Sequence, residues 1–160
     1  MSDGIRKAIW ESMLTADMNA RYWKSLVHRY VRRDKGLKIF LALTTSGSAV
    51  GAWDIWDKIP YLWQILSSVS VVVAISLPFL DYQKRIEQLS ALAGEWGTLR
   101  IECEDLWREI KNHPNPQLLE ERHRMVRETE AILQGKEINL PDDKTLLKRC
   151  FDEVKQARGL

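Results

Sequence analysis

The residues of this 160-residue chain that could carry out chemistry are few and scattered. Its three histidines, His28, His113 and His123, share no motif spacing with its two cysteines, Cys103 and Cys150. The sequence contains no phosphate-binding glycine loop, no nucleophile elbow and no zinc-protease motif. We therefore predict a protein that is not an enzyme and that holds no cofactor and no metal. Only a site assembled by the fold itself would change this interpretation.

The densest group of carboxylates is Glu102, Glu104, Asp105 and Glu109. A metal site usually adds His or Cys ligands at regular spacing, and no histidine falls at that spacing here. We interpret the group as a solvated helix face. The two isolated cysteines likewise indicate neither a disulfide framework nor a zinc ribbon.

Gln64 and Ser68 lie four residues apart, with Ser67 beside them, inside an otherwise apolar segment. At this spacing Gln64 and Ser68 share one face of a helix. A polar face on an apolar helix should meet another helix or water rather than lipid. Two interpretations stay open, namely hydrogen bonds between helices and the lining of a pore. Gln64, Ser67 and Ser68 are the pore-lining candidates.

Two apolar runs within residues 36–80 position these side chains. The second run carries no charge between Lys58 and Asp81, a length that covers roughly 30 Å as a helix. The first contains Gly47 and Gly51, whose spacing lets two helix backbones approach closely. Helices of soluble cores are usually shorter. We therefore predict an all-α membrane protein with a two-span transmembrane hairpin, in preference to a buried hairpin of a soluble protein.

Charge and aromatic placement predict the topology of this hairpin. Basic residues precede the first run and follow the second, whereas the turn between the runs has one lysine, Lys58. The positive-inside rule then places both termini in the cytoplasm. Amphipathic rings favour the membrane interface, and the turn carries Trp53, Trp56, Tyr61 and Trp63.

Charged helices are predicted on both sides of the hairpin. Residues 1–35 form an N-terminal amphipathic cytoplasmic helix, because apolar residues recur three or four apart. Residues 81–112 continue the second span as a coiled-coil-like helix. Its apolar seam must be covered by a partner subunit, by the N-terminal helix, or by both. This assembly seam consists of Leu89, Leu92, Trp96, Leu99, Leu106 and Ile110.

Residues 113–160 are predicted to form two shorter helices that act as a lid or a docking region. Two closely spaced prolines end the long helix. Asn115 is expected to cap the next helix, which stops at Gly135, and Asp142 is expected to cap the last one.

The layout resembles the SMODS- and SLOG-associating two-transmembrane effector (SLATT) family. The resemblance covers residues 5–112 and is carried by Arg21-Tyr22-Trp23-Lys24, by the two runs and by Ala91-x-x-x-Glu95-Trp96-x-x-Leu99-Arg100-x-Glu102. It implies an anti-phage effector in the prokaryotic inner membrane. Such an effector oligomerises among membrane lipids and forms a pore when a nucleotide-signalling or sensor protein triggers it. Because one hairpin cannot enclose a channel alone, we expect a homo-oligomer of four or more copies. No nucleic-acid partner is expected.

A second function competes with the pore. The chain could instead be a membrane-anchored scaffold or regulator that holds a soluble partner through its cytoplasmic helices. A soluble all-helical protein is a third possibility. Ion flux that depends on Gln64 would favour the pore, and co-purification of a stoichiometric partner without flux would favour the scaffold.

Overall fold

The structure is a computed structural model that describes residues 3–50, 60–112 and 115–159. These residues form five α-helices, and no strand occurs among them. The predicted helical character of the chain is therefore confirmed over the described ranges. The helices are α1 (Asp3–Val50), α2 (Pro60–Leu80), α3 (Tyr82–Asn112), α4 (Pro116–Glu137) and α5 (Lys144–Arg158).

The chain divides into two compact units. Unit 1 comprises Met1–Leu26 and Gln88–Leu160, and unit 2 comprises Val27–Glu87. Unit 1 therefore contains the first half of α1, most of α3, and all of α4 and α5. Unit 2 contains the second half of α1, all of α2 and the first residues of α3.

Unit 1 is a helical bundle around one apolar core. Each of its four helical segments contributes apolar side chains three, four or seven residues apart, spacings that put them on one face. Trp10 of α1 contacts Trp107 of α3, with ring centroids 5.1 Å apart. The buried residues include Ile9, Met13, Ala16, Trp23 and Leu26 of α1, Leu119, Val126 and Leu133 of α4, and Leu146, Cys150 and Val154 of α5.

Asp81 separates α2 from α3. Its backbone has a φ of 46°, in the left-handed region that Asp tolerates better than most residues with a side chain. The Arg85 amide then donates to the Asp81 carbonyl, 3.1 Å away, and opens α3. The second apolar run and the long helix after it, predicted as one continuous helix, are thus two helices.

The helix ends of unit 1 follow the sequence signals closely but not completely. Asn115 is the N-cap of α4 and Pro116 follows it, as predicted, although the Asn115 side chain makes no capping hydrogen bond. α4 continues to Glu137, two residues past its predicted end. Asp143, and not Asp142, caps α5 by accepting a hydrogen bond from the Leu146 amide at 2.9 Å.

Among the described residues, no helix combines the length and the apolar character that crossing a membrane requires. This finding overturns the predicted all-α membrane fold with a two-span transmembrane hairpin. It equally overturns the predicted location in the prokaryotic inner membrane with both termini in the cytoplasm.

The prediction failed because it took a sufficiently long stretch without charged residues as evidence for a membrane span. A span must also be apolar along its length, and the side chains of Gln64, Ser68, Ser70 and Ser76 interrupt α2. The first run is not a separate element, since α1 is one helix that begins in the amphipathic N-terminal segment. Residues 51–59, which contain the end of that run, lie outside the described residues.

Candidate functional site

The predicted pore-lining residues lie on α2 in unit 2. The Ser68 hydroxyl donates to the Gln64 backbone carbonyl at 2.7 Å, so its hydrogen bond is made within the helix. Both side chains are exposed. The Ser67 side chain and Gly51 lie outside what the structure describes, and Gly47 is placed only through the backbone of α1. The close helix approach predicted for the glycine pair therefore stays a prediction.

The predicted assembly seam lies in unit 1, where other helices of the same chain cover it. All six of its side chains are buried, with at most 5% exposed. The Trp96 indole also donates to Glu137 of α4 at 2.8 Å. A partner subunit is not needed to cover this seam. The six residues are Leu89, Leu92, Trp96, Leu99, Leu106 and Ile110.

Unit 2 exposes a broad apolar surface on α2. Large side chains recur along it at alternating spacings of four and three residues, and Ser68 falls between them in the same series. The large side chains of this series are between 62 and 84% exposed on the free chain, and Val69 and Val71 beside them are 46 and 57% exposed. We call this surface the α2 face, which consists of Tyr61, Ile65, Ser68, Val69, Val71, Val72, Ile75 and Phe79.

The α2 face covers nearly half of the helix circumference. At 3.6 residues per turn, Val69 and Val71 fall on opposite sides of the central stripe. Ser70, Val73 and Leu77 occupy the other side of α2, where they are only half-exposed. Ser76 donates to the Val72 carbonyl at 2.7 Å, so its hydroxyl is also bonded within the helix. The Ser68 and Ser76 hydroxyls are thus satisfied within the helix. The exposed Gln64 side chain lies between Val71 and Ile75 around the helix and adds one amide group to this side of α2.

Unit 1 contains a buried carboxylate that sequence reasoning missed. Asp17 on α1 is only 1% exposed and is surrounded by three arginines. Arg21 donates to its Oδ1 at 2.8 Å, Arg158 donates to its Oδ2 at 3.1 Å, and an Arg100 nitrogen lies 3.6 Å from Oδ1. Arg158 also donates to Glu104 at 2.8 Å. The cluster joins α1, α3 and α5.

The charges of this cluster set the protonation of Asp17. Burial alone raises the pKa of the Asp17 carboxyl. The hydrogen bonds and positive charges of Arg21 and Arg158 outweigh burial and hold that pKa below its ordinary value. Asp17 is therefore ionised, and its role is to bind three helices of the bundle together. No motif in the sequence signals this, because Arg158 lies 141 residues away along the chain.

The side chains of unit 1 that could act as nucleophiles are buried. Burial raises the pKa of the Cys103 thiol to about 12, helped by nearby carboxylates, and burial also raises the pKa of Cys150. Thiols in this state are poor nucleophiles. Ser12 Oγ lies 3.4 Å from His123 Nε2, but Ser12 is itself buried. Burial lowers the pKa of His123, with a smaller contribution from Arg127.

No three His, Cys, Asp or Glu side chains converge on a metal position within the described ranges. The predicted carboxylate face of α3 includes Glu104, which is bound to Arg158, and Glu109, which is bound to Arg122. Asp105 pairs with Arg108 on the same helix at 3.2 Å. These carboxylates thus serve ion pairs of the bundle.

Comparisons with protein-family models, with curated proteins and with solved structures found no match to this chain. They therefore do not test the resemblance to the SLATT family.

Proposed function

We propose that this chain is a non-enzymatic scaffold that assembles with further copies of itself through the α2 face. The α2 face is the observation that carries this proposal. None of the described side chains of unit 2 is buried in the free chain, although the unit carries the most apolar helix. A contiguous apolar surface of this kind on a protein usually marks an interaction site.

The spacing of the exposed side chains favours a second helix as the surface that covers them. Alternating steps of four and three residues are the repeat that lets two helices interlock along their length. The central stripe extends over 19 residues from Tyr61 to Phe79, about 28 Å of helix. It is matched by an identical stripe on any other copy of the chain.

Charge favours a second copy over a different protein. No Asp, Glu, Lys or Arg lies between Pro60 and Leu80, so two copies of α2 meet without like-charge repulsion. The face also offers no charge by which a different partner would be selected. An apolar face that complements itself is the simplest basis for a homo-oligomer.

The energetics also allow self-assembly. Burying each of the five large, exposed side chains of the stripe contributes about 1 to 2 kcal/mol. Two copies together therefore gain roughly 10 to 20 kcal/mol, compared with a cost of association of about 4 to 15 kcal/mol. The width of the face, with Val69 and Val71 on either side, favours a bundle over a two-helix pair. This supports the expected assembly of four or more copies.

The proposal keeps the scaffold function that the sequence suggested and omits the membrane anchor. In such a scaffold, the α2 face is used for self-assembly, and unit 1, whose core is complete within the chain, is left available to a soluble partner. A nucleotide-signalling or sensor protein, as implied by the SLATT resemblance, stays a proposal. Its test is co-purification of a stoichiometric partner with the full chain.

Light scattering of the full chain tests self-assembly, with Ile75→Glu as the disrupting variant. We expect the wild type to have the mass of four or more copies. A charge at Ile75 would be buried in the interface, at a cost of about 3 kcal/mol or more for each copy. The association constant should fall at least about a hundredfold.

Ile132→Glu is the matched control. Ile132 lies on α4 in unit 1 and has the same exposed fraction as Ile75, 62%. It should leave the mass of the assembly unchanged. A wild type that is monomeric at all concentrations would contradict the proposal. A single copy held in a detergent micelle would also contradict it, and would assign the α2 face to lipid.

A further inference from the structure

Unit 1 contains a cavity that neither the assembly proposal nor the core requires. It has a volume of about 340 Å³, within the range of small-molecule sites. It lies between α1, the end of α4, the connection from α4 to α5, and the first turn of α5. Its lining combines aromatic residues, apolar residues and carboxylates. The residues that define its chemistry are Tyr22, Trp23, Glu137, Leu140, Pro141 and Asp142.

Glu137 is the most distinctive group of this cavity. The indole nitrogens of Trp23 and Trp96 both donate to its Oε1, each at 2.8 Å. Two donors from α1 and α3 thus fix a carboxylate at the last residue of α4. A carboxylate at an exposed helix end is normally hydrogen-bonded to water, so two indole donors to Glu137 are not required for the helix to end there.

No cation among the described residues balances the negative charge of Glu137. Within the described part of the chain, no Lys, Arg or His forms an ion pair with it, and the neighbouring Lys136 is bound to Glu95. Burial raises the pKa of Glu137, while the two indole hydrogen bonds only partly oppose this. A partly desolvated carboxylate without a cation is unfavourable, and a cation that enters the cavity would relieve this cost.

The walls define the chemical class of that cation. Tyr22 and Trp23 pack against each other, with ring centroids 4.8 Å apart, and both line the cavity. Aromatic rings attract an organic ammonium group through their π faces. Asp142 adds a second carboxylate on the same side as Tyr22, whose hydroxyl lies 3.4 Å from the Asp142 carboxylate. The Asp143 amide donates to that hydroxyl at 2.8 Å and so fixes its position.

We propose that this cavity binds a small organic cation, with Glu137 as the counter-ion and with Tyr22 and Trp23 as the aromatic wall. Among the described residues no Lys or Arg lines the cavity, and the carboxylates of Glu137 and Asp142 would repel an anionic ligand. Leu140 and Pro141 give it an apolar side that a bare inorganic cation would not use. An alkylammonium group satisfies both the charge and the apolar walls.

Calorimetric titration of the full chain tests this site, with choline as the probe. The control ligands are 3,3-dimethylbutanol, which has the same shape without the charge, and potassium chloride. We expect choline to bind and both controls to give no saturable heat. Choline should also shift the indole N–H resonances of Trp23 and Trp96, because both contact Glu137.

The Glu137→Gln variant removes the negative charge of the cavity while it keeps nearly the same side-chain shape. The glutamine carbonyl can still accept both indole hydrogen bonds, so the bundle should fold. The dissociation constant for choline should rise at least about tenfold. Glu128→Gln is the matched control, because Glu128 lies on the same helix, is exposed and pairs with Arg124 at 3.2 Å, away from the cavity lining. It should leave binding unchanged.

Three results would overturn the proposal. The first is the absence of choline binding up to about 20 mM, a concentration at which even a weak site would be occupied. The second is equal binding of the neutral isostere, which would make the cavity an apolar site without charge selection. The third is unchanged binding to the Glu137→Gln variant.

Discussion

Asp17 shows how one buried charge can hold a helical bundle together. Its two oxygens receive Arg21 from its own helix and Arg158 from α5, and Arg100 of α3 lies beside them. Burial removes water from the carboxylate at a cost in free energy, and hydrogen bonds from charged donors offset that cost. The Arg100 Nε is buried without a hydrogen-bond partner, so the compensation on that side is incomplete.

Asp17→Asn should therefore destabilise unit 1 strongly. It leaves three positive charges close together around a neutral group. Breaking a fully enclosed pair costs about 3 to 5 kcal/mol. Because the side chains of the three arginines are 24 to 37% exposed, solvent screens the pairs, and we expect a loss of about 2 to 4 kcal/mol. Urea denaturation followed by circular dichroism measures the change in the free energy of unfolding.

Asp152→Asn makes the same chemical change on the exposed surface of α5 and serves as the control. It should change the free energy of unfolding by less than about 0.5 kcal/mol. Equal effects of the two variants would show that the arginine cluster contributes nothing specific.

Between α2 and α3, the left-handed backbone of Asp81 favours glycine over alanine, whereas a helix interior favours alanine over glycine. Glycine adopts this conformation without strain, whereas alanine is disfavoured there by about 1 kcal/mol or more. Asp81→Gly should therefore be more stable than Asp81→Ala, by about 1 kcal/mol. Denaturation of both variants measures this order.

Position 152 offers a control in which the order reverses. Asp152 lies inside α5, where glycine costs about 1 kcal/mol relative to alanine. Asp152→Ala should accordingly be more stable than Asp152→Gly. If alanine is preferred at both positions, Asp81 does not have the backbone conformation described above.

The helices of unit 1 could be predicted from sequence because their signals are local. Leu89 to Ile110 follow a strict apolar period, and the structure buries all six predicted seam residues. The prolines near Asn115 fixed a helix boundary for the same local reason. The pattern could not show which surface covers the seam, since period alone does not identify a neighbour.

The remaining features depend on residues far apart in the chain. Asp17 and Glu137 stand at ordinary positions of their helices, and only packing brings arginines to one and two indoles to the other. A capping aspartate was expected one residue earlier, and Asp143 is the one that caps α5, while the Tyr22 hydroxyl of α1 contacts both Asp142 and Asp143. The transmembrane hairpin was wrong because uncharged length was taken as sufficient for a span.

For the molecule as a whole, the shifted groups give the stability a characteristic pH dependence. The ion pairs of Asp17 contribute stability that is fully present above about pH 4, and it is lost as the pH falls through the lowered pKa. His123, whose pKa is also lowered, adds stability as the pH rises toward about 6.5. Both groups therefore favour the folded state away from acid.

Glu137 changes the stability with pH in the opposite direction, and the Glu137→Gln variant isolates its contribution. Since burial raises its pKa in the folded state, that state retains a proton which the unfolded chain loses above about pH 4.3. The free energy of unfolding should thus fall as the pH rises from that value through the raised pKa.

Subtracting the Glu137→Gln stability curve from the wild-type curve cancels the contributions of Asp17 and His123 to the pH dependence. The difference should decrease across this window and then level off. A flat difference between about pH 4 and 8 would show that Glu137 is solvated, and would remove the uncompensated charge on which cation binding depends.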